Sequence, residues 1–371
     1  MQLSNEDNLR LNVLLAQDLK AVRIDESRMI VYALTGKGDV KVKLNPTCKD
    51  DKYIRMVKEL LSSKIMGSPG GYPVYIKRWT RMGQERREES LAQLLLLGEP
   101  EAVVAVVHAP SLTPEIARHA WWALPSADNA RRLLEKKEIA ESSLARELVD
   151  FLLEFLPFEV EHRDMIDSVR LCLQPDLLTK EEIEDLWKRA RRKQSLYVGF
   201  LHSLPDALPE QKADHARHQE LASRLKCLIE GDNHYAKQLL RYHRASGQAF
   251  LHTINQVIDK AATQETIVSM FHAISQYHQN LPLSVNKQRE FELALNQADL
   301  WFSGSNDEQL QSCIQALPEY RDQIRSMLIL SQMGEVTLNP IFGVSDALGS
   351  VMRKKLKPLT DPLQEQINLL L

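Results

Sequence analysis

A mainly α-helical protein with a small α+β domain at its N-terminus is what this sequence predicts, and three observations carry the prediction. Glycine is scarce, with 14 in 371 residues, while Leu, Ala, Gln and charged residues recur, so strong helix formers dominate. Downstream of residue 88 the apolar residues return at helical spacing, most clearly over 142–156, where Leu144, Leu148, Phe151, Leu152 and Phe155 share a stripe. Only upstream of residue 84 does the apolar period switch to two.

The elements follow in order. Residues 5–16 form a first helix, with Ser4 or Asn5 placed to cap it. Val22 and Ile24 then alternate with Arg23 and Asp25, and a β-rich run spans Met29 to Leu34. After Thr35-Gly36-Lys37-Gly38-Asp39, Val40, Val42 and Leu44 alternate with Lys41 and Lys43, which makes a hairpin with one face buried and one wet. Helix returns over 50–65, with Ile54, Val57, Leu60 and Leu61 on one side. Gly67 to Gly71 break it, and Val74, Ile76 and Trp79 suit a further short strand.

From there the pattern is helical, as a HEAT-like stack or an irregular multi-helix region. Leu124-Pro125, Leu156-Pro157, Leu204-Pro205, Leu281-Pro282 and Leu317-Pro318 are helix stops, because proline cannot continue a helix and disfavours α geometry in the residue before it. Charged residues 84–89 and the stretch 205–212 are the expected seams. They divide the chain into a small α+β domain (1–84), a helical-hairpin domain (88–204) and a C-terminal helical domain (213–371). In the last, a non-helical island around Asn339-Pro340 precedes a final pair of helices, the first over 344–357.

Composition narrows the function classes. With 44% hydrophobic and 26% charged residues the chain is globular rather than disordered. Glu6 and Asp7 stand where a secretory signal carries cations, and the densest apolar stretch, 102–107, falls far short of the roughly 18 residues that cross a bilayer. A cytoplasmic location without membrane insertion is therefore expected. Cys48, Cys172, Cys227 and Cys313 are scattered, which points to reduced thiols rather than a disulfide framework or a zinc ribbon. Residues 1–84 hold 15 Lys and Arg against 9 Asp and Glu, a surplus of +6 on an otherwise acidic chain of net charge −3.

Catalytic motifs are missing. No Walker loop or G-x-S-x-G occurs, and His162-Arg163-Asp164 opens like a kinase catalytic loop but has Val169 where that loop needs Asn. Glu159 and His162 share a helix face, as do His215 and His218, yet neither pair grows into a three- or four-ligand set. The expectation is no metal, no cofactor and no catalytic residue. The run Lys188-Arg189-Ala190-Arg191-Arg192-Lys193 lies opposite the stripe Ile183, Leu186, Trp187 and Ala190. Glu184–Lys188 and Asp185–Arg189 pairs would make it a self-paired, solvated face. The N-terminal domain has the helix, three-strand, helix order of a double-stranded-RNA-binding domain. Tyr75, Lys77, Arg78, Trp79 and Arg81 are therefore candidate RNA or partner contacts. Against that, Asp50 and Asp51 interrupt the basic cluster at the start of the second helix.

Several longer phrases carry a resemblance. They include Gln2-Leu3-Ser4-Asn5-Glu6-Asp7-Asn8-Leu9-Arg10, Gly67-Ser68-Pro69-Gly70-Gly71-Tyr72-Pro73-Val74-Tyr75, Ala120-Trp121-Trp122-Ala123, Phe151-Leu152-Leu153-Glu154-Phe155-Leu156-Pro157-Phe158 and Tyr197-Val198-Gly199-Phe200-Leu201. Spanning residues 2 to 201, the chain resembles the DsrS family, cytoplasmic proteins encoded with the dissimilatory sulfite reductase system of sulfur-oxidising bacteria. That resemblance implies a non-catalytic auxiliary or regulatory role in sulfur oxidation, through an unidentified protein partner of that system. The alternative is an RNA-binding post-transcriptional regulator of sulfur-oxidation gene expression, acting through the basic N-terminal domain.

Overall fold

The computed structural model describes residues 3–67, 70, 88–304, 306–344 and 346–371, with backbone alone for 88 and 89. The chain is mainly α-helical and carries a small α+β domain at its N-terminus, as expected. It divides into two compact units, 1–155 and 156–371. The helices of 88–155 thus group with the sheet and those of 156–204 with the C-terminal helices, whereas the sequence pattern sets its seams at 84–89 and 205–212.

In the first unit, α1 (Asn5–Leu15) starts at Ser4, whose Oγ accepts from the Asp7 N–H at 3.2 Å. Strands β1 (Leu19–Asp25), β2 (Ile30–Thr35) and β3 (Gly38–Lys43) form an antiparallel sheet in the order β1-β2-β3, with Tyr32 opposite Lys41 and Arg23 opposite Tyr32. Helix α2 (Asp50–Met66) follows. Leu11 and Leu14 of α1 and Tyr53, Ile54, Val57 and Leu61 of α2 pack with Val22, Val31 and Ala33 of the sheet, so the period-two and period-3.6 patterns meet in one core.

A buried polar knot locks that core. The Asp7 carboxylate is fully buried and accepts from the Tyr53 hydroxyl at 2.5 Å and from the Asn45 N–H at 2.8 Å. Burial, and then the neighbouring Asp7, push the Tyr53 hydroxyl's pKa up. Hydrogen bonds to a charged group contribute about 1.5–3 kcal/mol, and a buried carboxylate short of a donor costs at least as much. Tyr53→Phe should therefore destabilise the protein by about 2–3 kcal/mol, read as a lower urea midpoint at unchanged slope. No change in midpoint would mean that solvent reaches Asp7.

Among the described residues the remaining helices of this unit are α3 (Glu88–Leu94), α4 (Pro100–Val107), α5 (Pro114–Ala123), α6 (Ala127–Leu134), α7 (Lys137–Ala140) and α8 (Ala145–Phe155). The Val22 N–H on edge strand β1 donates to the Leu95 carbonyl at 2.8 Å, which occupies an edge that could otherwise pair with another chain. Gly98 makes this approach feasible, since it has φ +67° and a Cβ there would lie 2.9 Å from Ile24 Cγ1. The Arg23 guanidinium sits 4.9 Å from the Tyr32 ring and 4.8 Å from the Trp122 ring. Trp121 instead donates to Glu147 at 2.8 Å while meeting Phe151 edge-on. The two adjacent tryptophans thus join different neighbours.

The second unit contains α9 (His162–Cys172), α10 (Lys180–Ala190), α11 (Gln194–Ser203), α12 (His218–Glu230), α13 (His234–His243), α14 (Ala245–Lys260), α15 (Gln264–Tyr277), α16 (Phe291–Gly304), α17 (Glu308–Ala316), α18 (Arg321–Ser331), α19 (Asn339–Phe342) and α20 (Gly349–Asn368). Helix α11 packs on α9, α14 and α15, and α18 touches α13, α15, α16 and α20. Two expectations fail near the C-terminus. The island around Asn339-Pro340 is a short 3-10 turn (Glu335–Leu338) running into α19. The final pair of helices is a single one, α20, which continues through Pro358 and Pro362. An interior proline costs ~3 kcal/mol, but Met352, Leu356, Leu359, Leu363 and Ile367 are buried along α20, and their burial outweighs the missing backbone bonds.

Candidate partner surface

Helix α10 begins with a capping box. The Thr179 Oγ1 accepts from the Glu182 N–H at 3.3 Å, while Glu182 Oε2 accepts from the Thr179 N–H at 2.8 Å. Its buried residues are Leu186, Trp187 and Ala190, and Trp187 meets Tyr197 and Phe200 of α11 edge-on at 4.5 and 4.9 Å. With that face anchored, Lys188, Arg189 and Arg192 are forced outward and are exposed. The chain turns at 191–193 and re-enters a helix at Gln194, with Lys193 at the N-cap position and no side chain capping α11.

Across this turn lies the 3-10 turn Leu156–Phe158. Between them is a groove of about 530 Å³ lined by Leu156, Pro157, Lys188, Arg189, Arg192, Lys193 and Leu196. Three aliphatic side chains thus share a concavity with four cations. Phe158 and Val160, next along the chain, are 73% and 77% exposed.

The expected self-pairing of this basic run needs correction. Asp185 accepts from Lys188 at 2.8 Å, an i,i+3 pair, instead of reaching Arg189. Each partner's pKa moves to favour the charged form, chiefly through that hydrogen bond. Lys193 Nζ donates to the Glu159 carbonyl at 3.4 Å. Arg189 and Arg192 make no ion pair among the described residues. The face is solvated, but only part of it is neutralised.

Charges in the polar clefts beside His202 are more fully spent. One cleft, of about 540 Å³, includes Arg241, whose guanidinium forks onto Asp206 at 2.7 and 2.6 Å, donates to the Tyr277 carbonyl at 2.8 Å and lies 3.5 Å from the Tyr277 ring centroid. His202 divides this cleft from a second of about 570 Å³. Its Nδ1 lies 2.9 Å from Gln276 Oε1, to which it can donate, and its Nε2 lies 2.9 Å from the Ser269 hydroxyl, from which it can accept, so neither nitrogen of the neutral ring is left as a free base.

The other sequence candidates fall as follows. Tyr75, Lys77, Arg78, Trp79 and Arg81 lie outside the described residues. Asp50 and Asp51 are exposed at the start of α2. His162 Nδ1 contacts Ser195 Oγ at 2.5 Å, and burial lowers its pKa. His215 and His218 are half-buried rather than exposed, and the His215 ring lies 4.1 Å from that of His243, a neighbour too distant in sequence to be found by spacing. Asp214 is occupied by the Ala245 N–H at 2.6 Å. Among the described residues no group of three or more His, Cys, Asp and Glu could hold a metal ion.

Among the described residues no helix is long and apolar enough to cross a membrane. Comparison with protein-family models, with curated proteins and with solved structures finds no match.

Proposed function

We propose that this protein is a non-catalytic auxiliary or regulatory protein that supports dissimilatory sulfur oxidation in the cytoplasm, acting through contact with a protein partner of that system. The link to sulfur oxidation rests on the resemblance to the DsrS family. The observation that carries the contact is the groove between the 156–158 turn and the α10–α11 corner, where Arg189 and Arg192 stand unpaired among the described residues beside an aliphatic floor. Unpaired cations beside apolar surface are what a protein interface neutralises and covers.

A second reading, RNA-binding regulation of sulfur-oxidation genes, is favoured by the α1-β1-β2-β3-α2 order of the N-terminal domain. The carboxylates of Asp50 and Asp51 at the start of α2 oppose it, because they repel phosphate where that fold needs cations.

The test is a pull-down from cells grown on reduced sulfur, with and without nuclease. A partner protein retained after nuclease supports the adaptor reading. Recovery that collapses with nuclease moves the RNA reading into first place, and the absence of any specific partner refutes the adaptor reading.

A further inference from the structure

Resting on that reading, we infer that the groove of Leu156, Pro157, Leu196, Arg189, Arg192 and Lys193 receives an acidic segment of the partner protein, anchored by aliphatic side chains flanked by carboxylates. The lining divides into two chemistries that no simple anion satisfies. Leu156 and Leu196 are themselves buried and form a recessed aliphatic floor, while Lys188, Arg189 and Arg192 are exposed above it. An apolar side chain entering the concavity gains by leaving water, and a carboxylate on either side of it meets an arginine fork that accepts it bidentately. The uncapped N-terminus of α11 adds a further positive field on the same side.

Other occupants match less of this lining. Single-stranded nucleic acid gains its sequence-tolerant affinity by stacking bases on aromatic rings, and among the described residues none lines the groove. A phosphate backbone would use the cations and leave the aliphatic floor unused. An acidic bilayer surface is broad, so it could reach the cations and the exposed Phe158 and Val160 but not the recessed leucines.

The experiment measures fluorescence anisotropy of the full-length protein with a labelled peptide in which leucines are flanked on both sides by aspartates. The comparison probes are the same peptide with serines for leucines, a single-stranded oligonucleotide of matched charge, and vesicles containing phosphatidylserine. The leucine peptide should bind about tenfold more tightly than the serine peptide, because part of the affinity comes from the floor. The double variant Arg189→Glu with Arg192→Glu should weaken it by on the order of 100-fold, and Arg189→Gln with Arg192→Gln by about tenfold. Both variants change exposed side chains, and circular dichroism checks that each is folded.

Equal affinity for leucine and serine peptides, tighter binding of the oligonucleotide or the vesicles, or insensitivity to charge reversal would overturn the inference. So would no binding of the peptide at all. If the pull-down partner is retained by the charge-reversed protein, the adaptor reading stands and only this assignment of the groove falls. If no partner is captured while the peptide binds, the adaptor reading falls and the groove chemistry stands.

Discussion

Acidification from pH 6.5 toward about 4.5 should strip the protein of several kcal/mol of stability before most of its carboxylates titrate. The cause is a pair of imidazoles buried in the neutral form. His278 donates from Nδ1 to the Ile274 carbonyl at 2.6 Å and accepts at Nε2 from the Tyr242 hydroxyl, so the neutral ring is satisfied on both sides. Burial above all pushes its pKa down from 6.5 to about 3. His243 bonds Gln323 at 2.8 Å through Nε2, has its Nδ1 buried with no partner among the described residues, and is pushed down to about 4, again mainly by burial.

The sign follows from linkage. Below pH 6.5 the unfolded chain protonates these rings and the folded chain does not, so unfolding takes up protons and stability falls with pH. The contribution is complete above pH 6.5 and shrinks as pH drops toward each folded value. A tenfold loss of proton affinity on folding corresponds to ~1.4 kcal/mol. His278 supplies the larger share, on the order of 4 kcal/mol. His243 supplies less, because its folded value of about 4 lies nearer to 6.5.

Urea unfolding at several pH values between neutrality and about pH 4.5 measures this directly. The stability curve should steepen as pH falls, and His278→Asn should flatten it while lowering stability at neutral pH. A flat curve for the native protein would show that these rings already bind protons when folded.

Gly247→Ala should be among the most damaging single-methyl additions in the protein, costing about 3 kcal/mol or more. Helix α13 ends at His243 and α14 starts at Ala245, leaving Arg244 as the entire connection. In that corner a Cβ on residue 247 would lie 2.6 Å from Tyr242 Cα and 2.8 Å from the Tyr242 carbonyl oxygen, and would also strike the Arg241 carbonyl. These are backbone atoms, so no rotamer change can relieve the clash. Two helix ends would have to separate, disturbing both the stacking of Phe250 on Tyr277 at 3.8 Å and the Arg241–Asp206 pair. Differential scanning fluorimetry reads the effect as a large drop in Tm, with Gly304→Ala as a control, since a Cβ there meets nothing within 4 Å. Equal Tm for both variants would mean that the α13–α14 corner is looser than its geometry indicates.

Local periodicity made much of this fold readable in advance. The alternation of Val22 and Ile24 with Arg23 and Asp25, and of Val40, Val42 and Leu44 with Lys41 and Lys43, marked the inner face of the sheet, and the stripe around Leu144, Leu148 and Leu152 marked α8. Proline was a less reliable guide. Leu204-Pro205 ends α11, yet Pro358 and Pro362 sit inside α20, because a local rule cannot count the leucines that a distant helix will bury.

The candidate surface was only half readable. The basic run and the acids preceding it are plain in the sequence, but which acid binds which cation depends on rotamers. A single Asp185 serves Lys188 and leaves Arg189 without an ion pair among the described residues. That Leu156 and Pro157 would line the same groove could not be inferred from positions more than thirty residues away. The convergence of His243 on His215 was equally hidden.

By itself, then, the sequence determined the fold class, the N-terminal order of helix, three strands and helix, and the outward face of α10, because each depends on periodicity within a few residues. Only the tertiary structure decided the continuation of α20 through two prolines, the burial of neutral His243 and His278, and the joining of an aliphatic floor to arginines without an ion pair among the described residues. Those outcomes depend on which distant surfaces exclude water together, and short-range periodicity does not encode that.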